Sequence, residues 1–156
     1  MQTDLFQQGV DLFNCGHFFD AHEVLEDYWR SLPREPSPGQ PLRIQPLRVH
    51  AQGMVQLAVA FHHASKGNHV GAHSVLERAL RNLAGAESSF PHLELDHLRS
   101  NLRLWQGYLD NSEAKPREPK SSQALPRTAP PLPKIIARTP ARTPARGQPA
   151  PPRTGC

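Results

Sequence analysis

Two stretches of this chain, 51 residues apart, are close copies of one another. GHFFDAHEVLEDYWRSL (residues 16–32) lies over GNHVGAHSVLERALRNL (residues 67–83) with eight identities in 17 positions. Gly16 matches Gly67, Ala21 matches Ala72, His22 matches His73, Leu25 matches Leu76, and Glu26 matches Glu77. Self-similarity at a fixed period marks a unit that stacks on its own copy. Each unit here is a helix, a glycine turn and a second helix. Two such hairpins are too few for an open solenoid, so the expected architecture is a compact pair.

The helical pattern extends on both sides of the copies. Leu5, Phe6, Val10 and Phe13 recur at helical spacing in DLFQQGVDLFN, and Asn14 and Gly16 are stop signals. Pro33 ends the second helix, and PREPSPGQP permits no regular element. A third helix is predicted from about Pro46 to Lys66, a fourth over about 70–85 and a fifth over about 95–110. From Met54 to Phe61 the third is apolar on nearly every side, which suits the central element of a bundle. Its small residues Gly53, Ala58, Ala60 and Ala64 let neighbours approach closely. The fifth carries Leu98, Leu102, Trp105 and Leu109 on one face. The predicted fold class is all-α: a compact bundle of about five helices built from two helical hairpins.

Composition divides the chain near residue 114. Residues 1–114 hold 9 Lys/Arg against 13 Asp/Glu, while residues 115–156 hold 9 Lys/Arg, a single acid (Glu118) and 11 of the 17 prolines. The expectation is a helical domain over 1–114 and a Pro/Arg-rich disordered tail over 115–156, with too few apolar residues to fold alone. ARTP occurs there twice in succession, at 137–140 and 141–144. The tail's charge allows weak polyanion binding by counterion release. RTAPPLP also fits a proline-rich ligand for an aromatic groove, through Arg127, Pro130 and Pro133. No apolar run approaches a membrane span and the N-terminus lacks a signal-peptide pattern, so the reading is a cytoplasmic protein with no membrane partner. Two cysteines, Cys15 and Cys156, make neither a disulfide framework nor a zinc pattern.

The polar residues inside the apolar helices are the candidate site. On a helical wheel centred on Leu25, His22 falls at the edge of the buried stripe, Glu26 about 40° beyond it, and Glu23 nearly opposite. Gln52, Gln56 and His63 share a face of the third helix. Buried polar groups need partners, so the prediction is a network of His22, Glu26, Gln52, Gln56 and His63 joining the two hairpins.

FNCGHFFDAHEVLEDYW followed by QGMVQLAVAFHHASKGNHVGA resembles the domain of unknown function 309 family over roughly residues 5–110. The resemblance implies an all-helical fold and no established activity. The positions matching the family's polar motifs are His22, Glu23, Glu26, Gln52, Gln56, Gly67, Asn68, Gly71 and Ala72.

Two functions follow. The first is a non-enzymatic binding or scaffold module with a polar His/Glu/Gln network and no cofactor. The alternative is a metal-dependent, hydrolase-like enzyme that holds a divalent transition metal through His22, Glu26 and His63. Against the metal, the motif is not HExxH, and the pairs of a di-iron bundle are missing. Glu23 and Glu26 do not converge as paired catalytic carboxylates, and no phosphate loop or dinucleotide fingerprint is present. Cys15, before a glycine turn and close to His17, could be a mildly activated thiol, although an inert cysteine is commoner. His50, His69, His92 and His97 read as surface histidines.

Overall fold

The computed structural model describes residues 2–34, 46–113 and 128–138. Five helices follow in order: α1 (Gln2–Asn14), α2 (Phe18–Ser31), α3 (Pro46–Ser65), α4 (His69–Asn82) and α5 (Leu95–Glu113), with a 3-10 turn (Ala86–Ser88) before α5. The all-helical bundle expected from the sequence is what forms. Each helix packs on its neighbours in chain order, and α3 lies against both α2 and α4. Its residues His50, Ala51, Gly53, Met54, Leu57, Ala58, Ala60 and Phe61 are all buried.

Both hairpins turn on a glycine in the left-handed region, Gly16 at φ 83° and Gly67 at φ 74°. An L-residue there would bring its Cβ against a backbone oxygen. The helices of each hairpin also approach closely. A Cβ on Gly9 of α1 would stand 2.6 Å from Leu25 Cγ of α2, and one on Gly53 of α3 would stand 2.9 Å from Leu83 Cγ after α4.

The 51-residue repeat is real in three dimensions and longer than the matched segments. Ala21, Leu25 and Leu32 are buried, and so are their counterparts Ala72, Leu76 and Leu83. The correspondence continues into the next helix. Arg48 Nη1 donates to the carbonyls of Trp29 (2.9 Å) and Leu32 (2.8 Å), capping the end of α2. Arg99 Nη2, 51 residues on, donates to the Leu83 carbonyl (2.8 Å) at the end of α4. The last carbonyls of a helix lack internal partners, and a guanidinium satisfies them well. At the same offset, buried Ala51, Met54 and Ala58 of α3 match buried Leu102, Trp105 and Leu109 of α5, and Phe6 and Val10 of α1 match Leu57 and Phe61 of α3. The bundle therefore alternates two kinds of helix: α1, α3 and α5 of one kind, α2 and α4 of the other.

At the centre, Phe13, Phe18, Phe61 and Trp105 stack in a chain with successive centroids 5.2, 5.6 and 5.1 Å apart, tying α1, α2, α3 and α5. His50, expected at the surface, is buried on α3 and meets Ser89 Oγ at 2.6 Å through Nδ1.

One expectation about the tail needs correction. Residues 128–138 do not stand apart from the body: they lie along it in an extended form, with Pro133 and Ile135 buried. The composition argument treats the tail as a unit that must fold alone, whereas this segment uses a surface the helices have already built. The rest of the expected disordered tail, 114–127 and 139–156, lies outside the described residues, as does Arg127 of the proposed proline-rich motif.

Candidate functional site

The helices keep the five predicted network residues apart, except for the His22–Glu26 pair. His22 projects from the flank of α2 with Nε2 3.4 Å from Glu26 Oε2, both side chains a little over one quarter exposed. Arg30, one turn on, reaches the other carboxylate oxygen at 2.7 Å. The row His22–Glu26–Arg30 runs along the helix at i, i+4 spacing, a surface arrangement worth a few tenths of a kcal/mol per pair, about 0.3–0.5. Glu23 faces solvent, as the wheel requires. Gln52 is exposed. Gln56 Oε1 accepts from Asn82 Nδ2 at 2.9 Å, joining α3 to α4. His63 Nδ1 lies 3.3 Å from Asn68 Nδ2 across the turn. Thus Gln56 ties α3 to α4, and His63 ties α3 to the residue that caps α4. His22 and Glu26 stay on α2. Among the described residues, no three His, Cys, Asp or Glu side chains stand close enough together to hold one metal ion. Cys15 is disulfide-bonded, which removes it as a free thiol.

The GNxxGA positions have a local explanation. Asn68 caps α4, its Oδ1 accepting from Gly71 N at 2.9 Å. That geometry lays the amide over residue 71, where a Cβ would meet Asn68 Nδ2 at 2.5 Å. Ala72 is fully buried one residue later. A capping asparagine, a glycine beneath it and a small residue against the neighbouring helix are all needed for the turn to close.

His73, the counterpart of His22, behaves differently. Its side chain is 17% exposed and its Nε2 lies 2.5 Å from Asp110 Oδ1 of α5. The two atoms do not form a hydrogen bond, so the contact is one of proximity. At the other end of α4, the Arg99 guanidinium is hydrogen-bonded to Glu87, which holds that carboxyl at about 2 instead of its usual 4.5. The same hydrogen bond raises the pKa of Arg99. Burial pushes the Tyr28 hydroxyl up. An open cleft of about 540 Å³ between α4 and α5 is bordered by Glu77, Arg81, Arg99 and Arg103. Glu77 and Glu87 stand there against Arg81, Arg99 and Arg103, and Glu87 is already paired with Arg99, so the cleft mixes both signs of charge.

The most specific contacts were not foreseen. Asn14, the last residue of α1, donates from Nδ2 to the Ile135 carbonyl (2.9 Å) and accepts from Ile135 N at Oδ1 (2.8 Å). Lys134 Nζ donates to the Asn14 main-chain carbonyl. Trp105 Nε1 of α5 donates to the Pro131 carbonyl at 3.0 Å. The connector before α5 adds a short antiparallel bridge, Leu93 opposite Ala137, in which Glu94 N donates to Ile136 O (2.9 Å) and Arg138 N to His92 O (2.6 Å). Pro133 and Ile135 point into the body, while Leu132 and Ile136 are 49% and 43% exposed. This is strand alternation. Burying Ile135 stabilises the docked segment by about 1.5–3 kcal/mol. The signal that could have found it is the apolar run in PLPKIIA, anomalous in a polar tail. Asn14 reads in sequence only as a helix stop.

These features define an all-helical repeat module with an extended peptide seated across one end of α1, the α5 connector and α5 itself. The family model for the Domain of unknown function (DUF309) matches residues 6–75, the stretch that holds the AHEVLE and GNxxGA motifs. Among curated proteins, the chain is similar to the uncharacterized protein YpuF of Bacillus subtilis (strain 168), 32% identical over 104 residues, which cover 67% of this chain and 53% of that one. It is also similar to an uncharacterized protein of Aquifex aeolicus (strain VF5), 25% identical over 101 residues, 65% of this chain and 27% of that one. The chain thus spans about half the length, or less, of these relatives. No solved structure matches. Among the described residues, no helix is long and apolar enough to cross a membrane.

Proposed function

We propose that the helical body is a non-catalytic binding module whose ligand is an extended stretch of polypeptide. The observation that carries this is the pair of hydrogen bonds from one Asn14 side chain to both backbone groups of Ile135. A side-chain amide that reads N–H and C=O of one residue recognises an extended backbone whatever the side chain, and β-bridge pairing to the connector is a common mode of peptide capture. The His/Glu/Gln residues support the same reading, because their contacts hold helices and turns and leave no convergent group for chemistry. Polyanion binding by the tail rests on charge alone. Of its nine basic residues, only Lys134 and Arg138 fall within the described segment.

The test uses the full chain with its own segment displaced by Pro133→Asp and Ile135→Asp. A peptide of sequence TAPPLPKIIAR, residues 128–138, is titrated in while the Trp105 indole N–H resonance is followed. Saturable movement of that resonance is the expected result. A folded variant whose Trp105 signal ignores the peptide would refute the binding-module reading.

A further inference from the structure

The seat is filled by the chain's own residues 128–138, and the way it is filled defines what else it takes. We infer that this segment is a displaceable occupant, and that the seat receives from another protein an extended, basic, proline-containing peptide. This rests on the peptide-seat reading above and adds the partner's chemistry and the control of access.

The ligand pattern can be read position by position. The first requirement is a free carbonyl at the place of Pro131, because the Trp105 indole donates there and a largely buried indole N–H needs an acceptor. The second is a proline two residues on. Pro133 is fully buried, and a proline can be buried there without stranding an N–H. The third is a cation at the next position. Lys134 meets the last carbonyl of α1, where the helix dipole is negative, and α1 has no basic residue in its own last turn. The wider field agrees: α1 and α2 carry six acids against one Arg or Lys, Arg30. The fourth is an aliphatic side chain, for the pocket that holds Ile135 at 3% exposure.

Displacement follows from the same observations. The hydrogen bonds named for the segment end on Asn14, His92, Glu94 and Trp105, so an incoming peptide of the same pattern recreates each one. The Leu132 and Ile136 side chains point outward, and Ile136 takes part through its main-chain carbonyl, which any residue supplies. Fourteen residues (114–127) tether the segment to α5. A tethered occupant competes at high effective concentration, so a free peptide meets a seat that is only fractionally open and its apparent affinity falls by that fraction.

The experiment compares the unaltered chain with the Pro133→Asp/Ile135→Asp chain, using fluorescein-labelled TAPPLPKIIAR. The displaced variant is expected to bind at least about tenfold tighter than the unaltered chain. Binding should be lost on adding Asn14→Ala, and weakened when the peptide's lysine or its first isoleucine becomes Asp. Equal affinity for the two chains would overturn the controlled-access inference while leaving the binding module standing. No binding to a cooperatively melting variant would remove both. Indifference to the lysine would overturn the basic-peptide assignment. Hydrogen exchange on the unaltered chain gives a check that needs no variant: excess peptide should speed exchange at the Ile135 and Arg138 amides but not in α3, and no acceleration at saturating peptide would overturn displacement. A concentration-dependent dimer that free peptide dissolves would assign the seat to a second copy and overturn the foreign partner.

Discussion

The two copies of the repeated unit share their apolar contacts and part company in their polar ones. Leu25 and Leu76 are both buried, both glycine turns are left-handed, and both second helices are capped by an arginine 16 residues beyond the last leucine, Arg48 for Leu32 and Arg99 for Leu83. Yet His22 contacts Glu26 within its own helix, whereas His73 reaches across to Asp110 of α5. Arg48 spreads its guanidinium over the Trp29 ring at 4.3 Å, while Arg99 pairs with Glu87 and Asp96. Apolar positions are copied because a face buried against the same kind of helix needs the same shape. Polar side chains at the edge of that face take whichever group the next element presents, and the next element differs between the copies.

If this account holds, the largest and most symmetrical effect comes from the two leucines. Leu25→Ala and Leu76→Ala should each cost about 2–5 kcal/mol. Denaturant melts should put the two within about 1 kcal/mol of each other, and a gap of more than about 2 would break the equivalence.

The cap arginines come next. Arg48→Ala and Arg99→Ala should each lose about 1.5–3 kcal/mol, because each strands carbonyls at a helix end. Their pH dependence separates them. Glu87 titrates lower in the folded chain than its ordinary 4.5, so its pairing with Arg99 stabilises the fold above about that pH, and the contribution fades as pH falls toward about 2. Glu87 is 48% exposed, so solvent screens the pair and the effect is modest. Acid melts between pH 4.5 and 2 should therefore show the Arg99→Ala deficit shrinking while the Arg48→Ala deficit holds. Parallel curves would show that Glu87 contributes nothing to the second cap.

The smallest effects belong to the histidines, and here the copies should differ. His73→Ala removes a largely buried ring and should cost about 1–3 kcal/mol. His22→Ala, on a partly open helix flank, should cost less than about 1. Thermal melts at neutral pH distinguish them, and a larger loss at His22 would reverse the comparison.

How much of this was legible beforehand depended on the distance over which each contact acts. The helices and turns were open to local reading because Gly16, Gly67, Pro33 and Pro46 punctuate the chain and the apolar residues recur at helical spacing. The core faces followed too, since Leu25, Leu76, Leu102 and Leu109 have one side to bury. The candidate network was misjoined for a definite reason. A wheel shows that Gln56 and His63 share a face with Gln52, but not that Asn82 and Asn68 lie nearer to them than His22 does.

The sequence by itself determined the helices, their glycine turns, the repeat and the buried stripes, because those follow from torsional preference and periodicity within a few turns of chain. Only the tertiary structure decided which polar groups meet and where residues 128–138 lie. Asn14 and Ile135 are 121 residues apart. Their hydrogen bonds exist because the folded bundle sets the end of α1 and Trp105 of α5 within reach of one extended segment, and no local preference of either residue encodes that proximity.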